Sequence, residues 1–149
     1  MALSKDRYWE IDRHYYSKAR AVLDEARNHL QKYNYDLCAR RAQEAFELFL
    51  KMIFLLIEKE YPKVHDISNE IYKVHTFLKE FKFSDQRVAQ IVLRNKTLGL
   101  WRNPSFYGDE KLKVSGIFGQ NEARVALQYA EEMDSDCFRL KSEIIRRLS

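Results

Sequence analysis

All four glycines of this chain fall between Gly99 and Gly119, and residues 1–98 contain none. Glycine enters backbone regions closed to other residues, so its absence over such a length leaves little room for tight turns. One of the two prolines, Pro62, interrupts that stretch, and the other, Pro104, lies inside the glycine window. The chain therefore reads as long regular runs with a single irregular place.

The runs carry helical spacing. From about Lys5 to Tyr33, Tyr8, Ile11, Tyr15, Ala19, Val22, Ala26 and Leu30 recur at steps of three and four, one face of a long helix. Asn34 or Asp36 is expected to cap the next run. That run, about Asp36 to Glu60, turns Leu37, Ala42, Ala45, Phe46, Phe49, Met52, Ile53 and Leu56 toward partners. It is apolar around much of its circumference, as the most buried helix of a bundle would be, and Pro62 is expected to end it. A third helix is predicted from about Ser68 to Phe81, with Ile67, Ile71, Val74, Phe77, Leu78 and Phe81 inward and Asp66 or Ser68 as cap. A fourth starts after Ser84 with Asp85 in its first turn and runs through Val88, Ile91 and Val92 to Leu98. A last helix runs from a cap at Asn121 to about Leu148, burying Ala123, Ala126, Tyr129, Ala130, Met133, Cys137, Leu140 and Ile144. No strand-like alternation competes. The prediction is one all-α domain over 1–149, an antiparallel up-and-down bundle of four to five helices.

The irregular window reads Leu100-Trp101-Arg102-Asn103-Pro104-Ser105-Phe106-Tyr107-Gly108-Asp109-Glu110. Loops on a rigid scaffold are where binding and chemistry concentrate. Arg102 offers a planar fork of donors suited to phosphate or carboxylate. Asn103-Pro104 favours an extended or turn geometry that presents Arg102, and Tyr107 and Asp109 complete the candidate phosphate-binding set. The structural reading beside this one has Arg102 tying the loop down on Asp109 or Glu110, with Tyr107 covering the end of the bundle. Lys111 and Lys113 add positive charge nearby. Arg40 and Arg41 read as a solvated helix face, and His65 as a capping or packing residue.

A net charge of +4 and a pI near 9.0 suit phosphate-bearing partners, although acids are interspersed throughout. There is no apolar run long enough to span a membrane and no signal-peptide segment, so a cytoplasmic protein is expected. The wealth of Lys, Arg, Glu, Ile and Tyr is a bias that also suits a thermophile. Cys38 and Cys137 have no metal-ligand neighbours and are expected to be buried thiols, or a disulfide if the source is a hyperthermophile. The histidines show no zinc spacing, and no phosphate-binding glycine loop of the P-loop type occurs, so no metal or cofactor is called for.

The run from Tyr33 to Lys51, with its Tyr35-Asp36 entry, alanine spacing and Leu50-Lys51 end, resembles the signature helix of the HEPN superfamily. Pro62-Lys63-Val64-His65-Asp66-Ile67 is similar to the segment that opens the third helix there. The Arg102 window sits where HEPN proteins carry an arginine, a polar residue and a histidine a few positions on. The resemblance implies a helical bundle that commonly pairs, with two arginine loops near one cleft. It also implies either a metal-independent ribonuclease or a nucleotide-binding companion of a separately encoded minimal nucleotidyltransferase, a pair of toxin–antitoxin kind. The motif histidine is missing: position 107 is Tyr, and no histidine follows His75. A phenol with its ordinary pKa of about 10 is a poor general base near neutral pH. The resemblance therefore points to a nucleotide- or RNA-interacting module paired with a nucleotidyltransferase. The alternatives are a ribonuclease using Arg102 and Tyr107, or a structural, antitoxin-like partner.

Overall fold

The computed structural model describes residues 3–59, 62–63, 67–101 and 119–149. Among them every regular element is helical: α1 (Lys5–Ile11), a π turn (Asp12–Tyr16), α2 (Ser17–Gln31), α3 (Tyr35–Leu56), α4 (Ser68–Lys73), α5 (His75–Glu80), α6 (Asp85–Trp101) and α7 (Gln120–Leu148). The chain is an all-α bundle.

The first long run is one helix with a π turn in it, where Ser17 N–H reaches back to Asp12 O. The extra residue advances the buried stripe. Tyr8 and Ile11 are followed by Tyr16, Ala19, Leu23 and Ala26, so Tyr16 and Leu23 hold the inward places that unbroken periodicity assigns to Tyr15 and Val22. Tyr15, Val22 and Leu30 are only partly buried against the core.

At the centre α3 packs most extensively on α7 and α2. Cys38 Sγ lies 3.8 Å from Ala123 O and Cys137 Sγ 3.2 Å from Phe49 O, so α3 and α7 run in the same direction side by side. Small residues permit that approach: Ala39, Ala42 and Ala45 on one helix, Ala123, Ala126 and Ala130 on the other, all buried. α1 and α2 run antiparallel to this pair, Tyr16 bonding Asp134 and Lys141 pairing with Asp12. α6 is antiparallel to α7, Arg87 reaching Asp136 and Arg94 reaching Glu132. Leu37, expected inward, is 40% exposed, because the face of α3 that meets α7 passes through Cys38 and Ala39 instead.

Helix ends differ most from the sequence reading. α3 stops at Leu56, before Pro62, in a motif where Glu58 N–H bonds Leu55 O and Lys59 N–H bonds Phe54 O. The same pair of bonds closes α2 around Tyr33 and α5 around Lys82. In each motif the residue one past the cap is left-handed: Tyr33 at φ 63°, Glu58 at 60° and Lys82 at 68°. Glycine would sit there without steric cost, so Lys82→Gly is expected to stabilise the protein by about 1 kcal/mol. A urea midpoint that falls or stays put would show that the Lys82 side chain contributes more than its backbone costs.

The third predicted helix is two short ones broken at Val74, whose N–H bonds Ile71 O three residues back. The break turns Phe77 outward to 39% exposure, against expectation. Asn34 stands at the N-cap of α3 without a side-chain bond, and Ile67 stands at that of α4, ahead of Ser68; Asp66 lies outside the described residues. α6 starts after Ser84 as expected, and Ser84 Oγ accepts from Arg87 N–H at 3.0 Å. At α7 the cap is Gly119 rather than Asn121, with Glu122 accepting from Gly119 N–H at 2.9 Å.

Candidate functional site

Arg102, Asn103, Tyr107 and Asp109 lie outside the described residues, as do His65, Lys111 and Lys113. The structure describes helical residues on either side of this window. The described part of α6 reaches Trp101 beside the first half of α3, where Gln43 Nε2 donates to Leu98 O at 2.5 Å. α7 begins at Gln120 beside the start of α3, where the Cys38 thiol faces Ala123 O. Both ends of the window therefore stand at one end of the bundle, against the first half of α3. Arg41 at that end is held by Glu25 at 3.1 Å and Glu44 at 2.8 Å. It is a paired surface residue, in keeping with a solvated helix face.

Two clusters of ionised side chains flank the core. Between α6 and α7, Arg87 donates through Nε to Asp136 Oδ2 at 2.7 Å and also through Nη2 to the same oxygen. Arg87 lies 3.7 Å from Glu132, which pairs with Arg94, and the Arg94 guanidinium sits 4.7 Å over the Tyr129 ring. Burial, and then the neighbouring Arg87 charge, lower the Arg94 pKa from its ordinary value. Beside the π turn, Tyr16 donates to Asp134 at 2.7 Å while Lys141 sits 3.8 Å over its ring and pairs with Asp12. Neither cluster was read from the sequence. The available signal was acids at 132 and 136 and arginines at 87 and 94, one and two helical turns apart, on the faces that carry Met133 and Ile91.

Burial, with Asp134 as hydrogen-bond acceptor and charge, pushes the Tyr16 phenol up to about 12. Burial alone pushes the Cys38 thiol up to about 11. Cys137 rises well above the ordinary value by burial and by the charges of Asp136 and Asp134. All three shifts lead away from neutral pH, so these groups are structural rather than nucleophilic. The thiols are free and bond opposite ends of the α3–α7 seam, which excludes the disulfide considered for them. Tyr16 also sets a pH dependence. Its folded pKa lies above its unfolded value of 10.0, so its contribution is complete below pH 10 and disappears as pH climbs toward about 12. Tyr16→Phe is expected to lower stability by about 1 kcal/mol at neutral pH and to flatten the alkaline decline. Urea midpoints for both proteins at about pH 9 and about pH 11 would check this, parallel declines ruling Tyr16 out.

At the other end of the bundle a cleft of about 570 Å³ opens between the ends of α3, α5 and α7, floored by Leu56, Ile57, Ile144 and Leu148. Lys59 and Arg147 at its edge sit 3.8 Å over the Phe77 ring and 4.4 Å over the Phe81 ring. It is remote from the ends of the Arg102 window. Among the described residues no helix is long and apolar enough to cross a membrane.

No curated protein and no solved structure matches the chain significantly. The sequence model of the HEPN domain does match, over residues 13–137. That span takes in all but the first residue of the π turn, the whole of α3, the Arg102 window and most of α7. With the helical fold and so long a match, the chain belongs to the HEPN domain family.

Proposed function

We propose that this protein is a nucleotide- or RNA-interacting HEPN module whose phosphate contact is Arg102, with Asn103, Tyr107 and Asp109 beside it. It acts as the substrate-binding companion of a separately encoded minimal nucleotidyltransferase, in a pair of toxin–antitoxin kind, and does not itself cut RNA. The observation that carries the reading is the HEPN match across 13–137, which brackets the Arg102 window. A guanidinium suits a phosphate diester because it is planar, permanently charged and offers two parallel donors. The absence of any histidine after His75 removes the usual proton carrier and favours binding over cleavage. Self-association in a two-fold dimer belongs to the same proposal. Its support is the outer face of α6, where Leu93 and Leu100 are 65% and 69% exposed two turns apart.

The test is sedimentation of wild type and Arg102→Ala with a labelled single-stranded RNA in EDTA, followed by a gel of the RNA. Expected are a free protein of two chains, bound and intact RNA with wild type, and binding weakened about 10-fold or more in the variant. RNA cut by wild type alone would make the protein a metal-independent ribonuclease instead. Equal binding by the two proteins would remove Arg102 from the site. Stable copurification of a nucleotidyltransferase would establish the companion role, and its absence from every pull-down of the native complex would count against it.

A further inference from the structure

The cleft between the ends of α3, α5 and α7 is lined by described residues and lies away from the Arg102 window. Its volume of about 570 Å³ falls within the range of small-molecule sites. The helices around it give it an electrostatic sign. Leu56 is the last residue of α3, Phe81 follows the last of α5, and Leu148 is the last of α7. The two long helices, α3 and α7, each bring the negative pole of a dipole, equivalent to roughly half an elementary charge. α1 begins beyond Leu3 at the same edge, but it is short, and Ser4 Oγ accepts from Arg7 N–H in its first turn. Of the charged side chains that line the cleft, Glu58 and Glu80 offset Lys59 and Arg147. The helix ends therefore decide, and they favour positive charge.

The two cations of the cleft supply a second observation. Arg147 is committed: Nη2 donates to Glu80 O at 3.1 Å, Nε lies 3.3 Å from Glu143, and the guanidinium covers the Phe81 ring at 4.4 Å. Lys59 is held differently. Among the described residues its ammonium pairs with no carboxylate and rests 3.8 Å over the Phe77 ring, which is 39% exposed. An ammonium on a flexible four-carbon stem is readily exchanged for another. Lys59 thus displays what the cleft accommodates, a cation on an aromatic face beside an apolar floor.

We propose that this cleft binds a small organic cation, an apolar body carrying one ammonium group. The body lies on Leu56, Ile57, Ile144 and Leu148, and the ammonium takes the place of Lys59 on the Phe77 ring. An organic anion would instead meet Glu58, Glu80 and the helix ends, with Arg147 already committed. The site is independent of the Arg102 reading, and RNA plays no part in it.

The experiment titrates three probes of similar shape, phenethylammonium, phenethyl alcohol and phenylacetate, into the full isotope-labelled chain at neutral pH. Binding is read from amide chemical shifts. Shifts are expected at Ile57, Phe81 and Leu148, with the ammonium bound about 10-fold more tightly than the alcohol and the carboxylate most weakly. Lys59→Met keeps a long side chain and removes the competing charge. It is expected to tighten the ammonium by about 5-fold while changing the alcohol little, whereas at an anion site the same change would weaken the carboxylate. Phe77→Leu keeps an apolar surface without the ring and should erase the advantage of the ammonium over the alcohol. An ammonium bound no more tightly than the alcohol in wild type would overturn the inference. So would phenylacetate as the tightest probe, or a Lys59→Met chain that binds the ammonium no better than wild type. Shifts confined to residues outside the cleft, or none at the solubility limit of the probes, would overturn it equally. Lys59 stands at the surface beyond the end of α3, so its variant decides the matter even where Phe77→Leu does not fold.

Discussion

Asp136→Ala is expected to destabilise the protein by about 3 kcal/mol, at the lower end of what removing one partner of a buried ion pair costs. Asp136 accepts both Nε and Nη2 of Arg87, and the two side chains are only 11% and 16% exposed. Without the carboxylate, Arg87 keeps Glu132 at 3.7 Å, but Glu132 is already engaged by Arg94. Two arginines would then share one acid in a poorly hydrated place, where Arg94 already feels the charge of Arg87. α6 and α7 are joined largely through these long side chains, so the loss falls on the contact between the two helices. The double variant Arg87→Met with Asp136→Leu should recover most of the stability, since apolar replacements of a whole buried pair are often neutral. Urea denaturation of the three proteins is the check. A single variant within about 0.5 kcal/mol of wild type would show the pair to be hydrated in solution.

Phe49→Ala should cost about 4 kcal/mol, the typical toll for deleting a large aromatic ring from a closed interior. Phe49 is fully buried, its ring 6.0 Å from that of Tyr16, and its carbonyl faces the Cys137 thiol. It stands where the π turn, α3 and α7 meet, so no single helix can move inward to fill the space without leaving another. A loss below about 1.5 kcal/mol, measured from the urea midpoint at unchanged slope, would mean the centre collapses readily and is not rigid.

The helical class and most of the buried face were legible because they depend on a period. Ala42, Phe46, Phe49, Ile53, Ala126, Ala130, Met133 and Leu140 repeat along their helices, and all eight are buried. What escaped depends on single residues. The π turn adds one residue at Asp12–Tyr16, and nothing in the sequence there marks it. The helix stops at Tyr33, Glu58 and Lys82 escaped because the signal for a left-handed cap is glycine, and each of these positions holds something else. Pro62 is the stronger stop signal in the sequence, but the left-handed Glu58 ends the helix first. The family was legible from the order of short motifs around α3. Gln43 lay inside the quoted run, but a glutamine on an apolar face declares itself only once its acceptor 55 residues away is known. The four candidate site residues lie in the window beyond Trp101, so their expected roles rest on the Arg102 experiment.

The side-by-side course of α3 and α7 also matters for how the protein is made. Phe49 and Cys137 meet across 88 residues of chain. At a synthesis rate of roughly 5–20 residues per second, α3 waits roughly 4–18 s for the helix that covers it. During that interval its alanine-lined seam is exposed beside Phe46, Phe49 and Ile53, an invitation to the wrong partner. The nascent chain should therefore be a strong client of holding chaperones until α7 emerges, and arrest of translation before residue 120 should leave it bound to them.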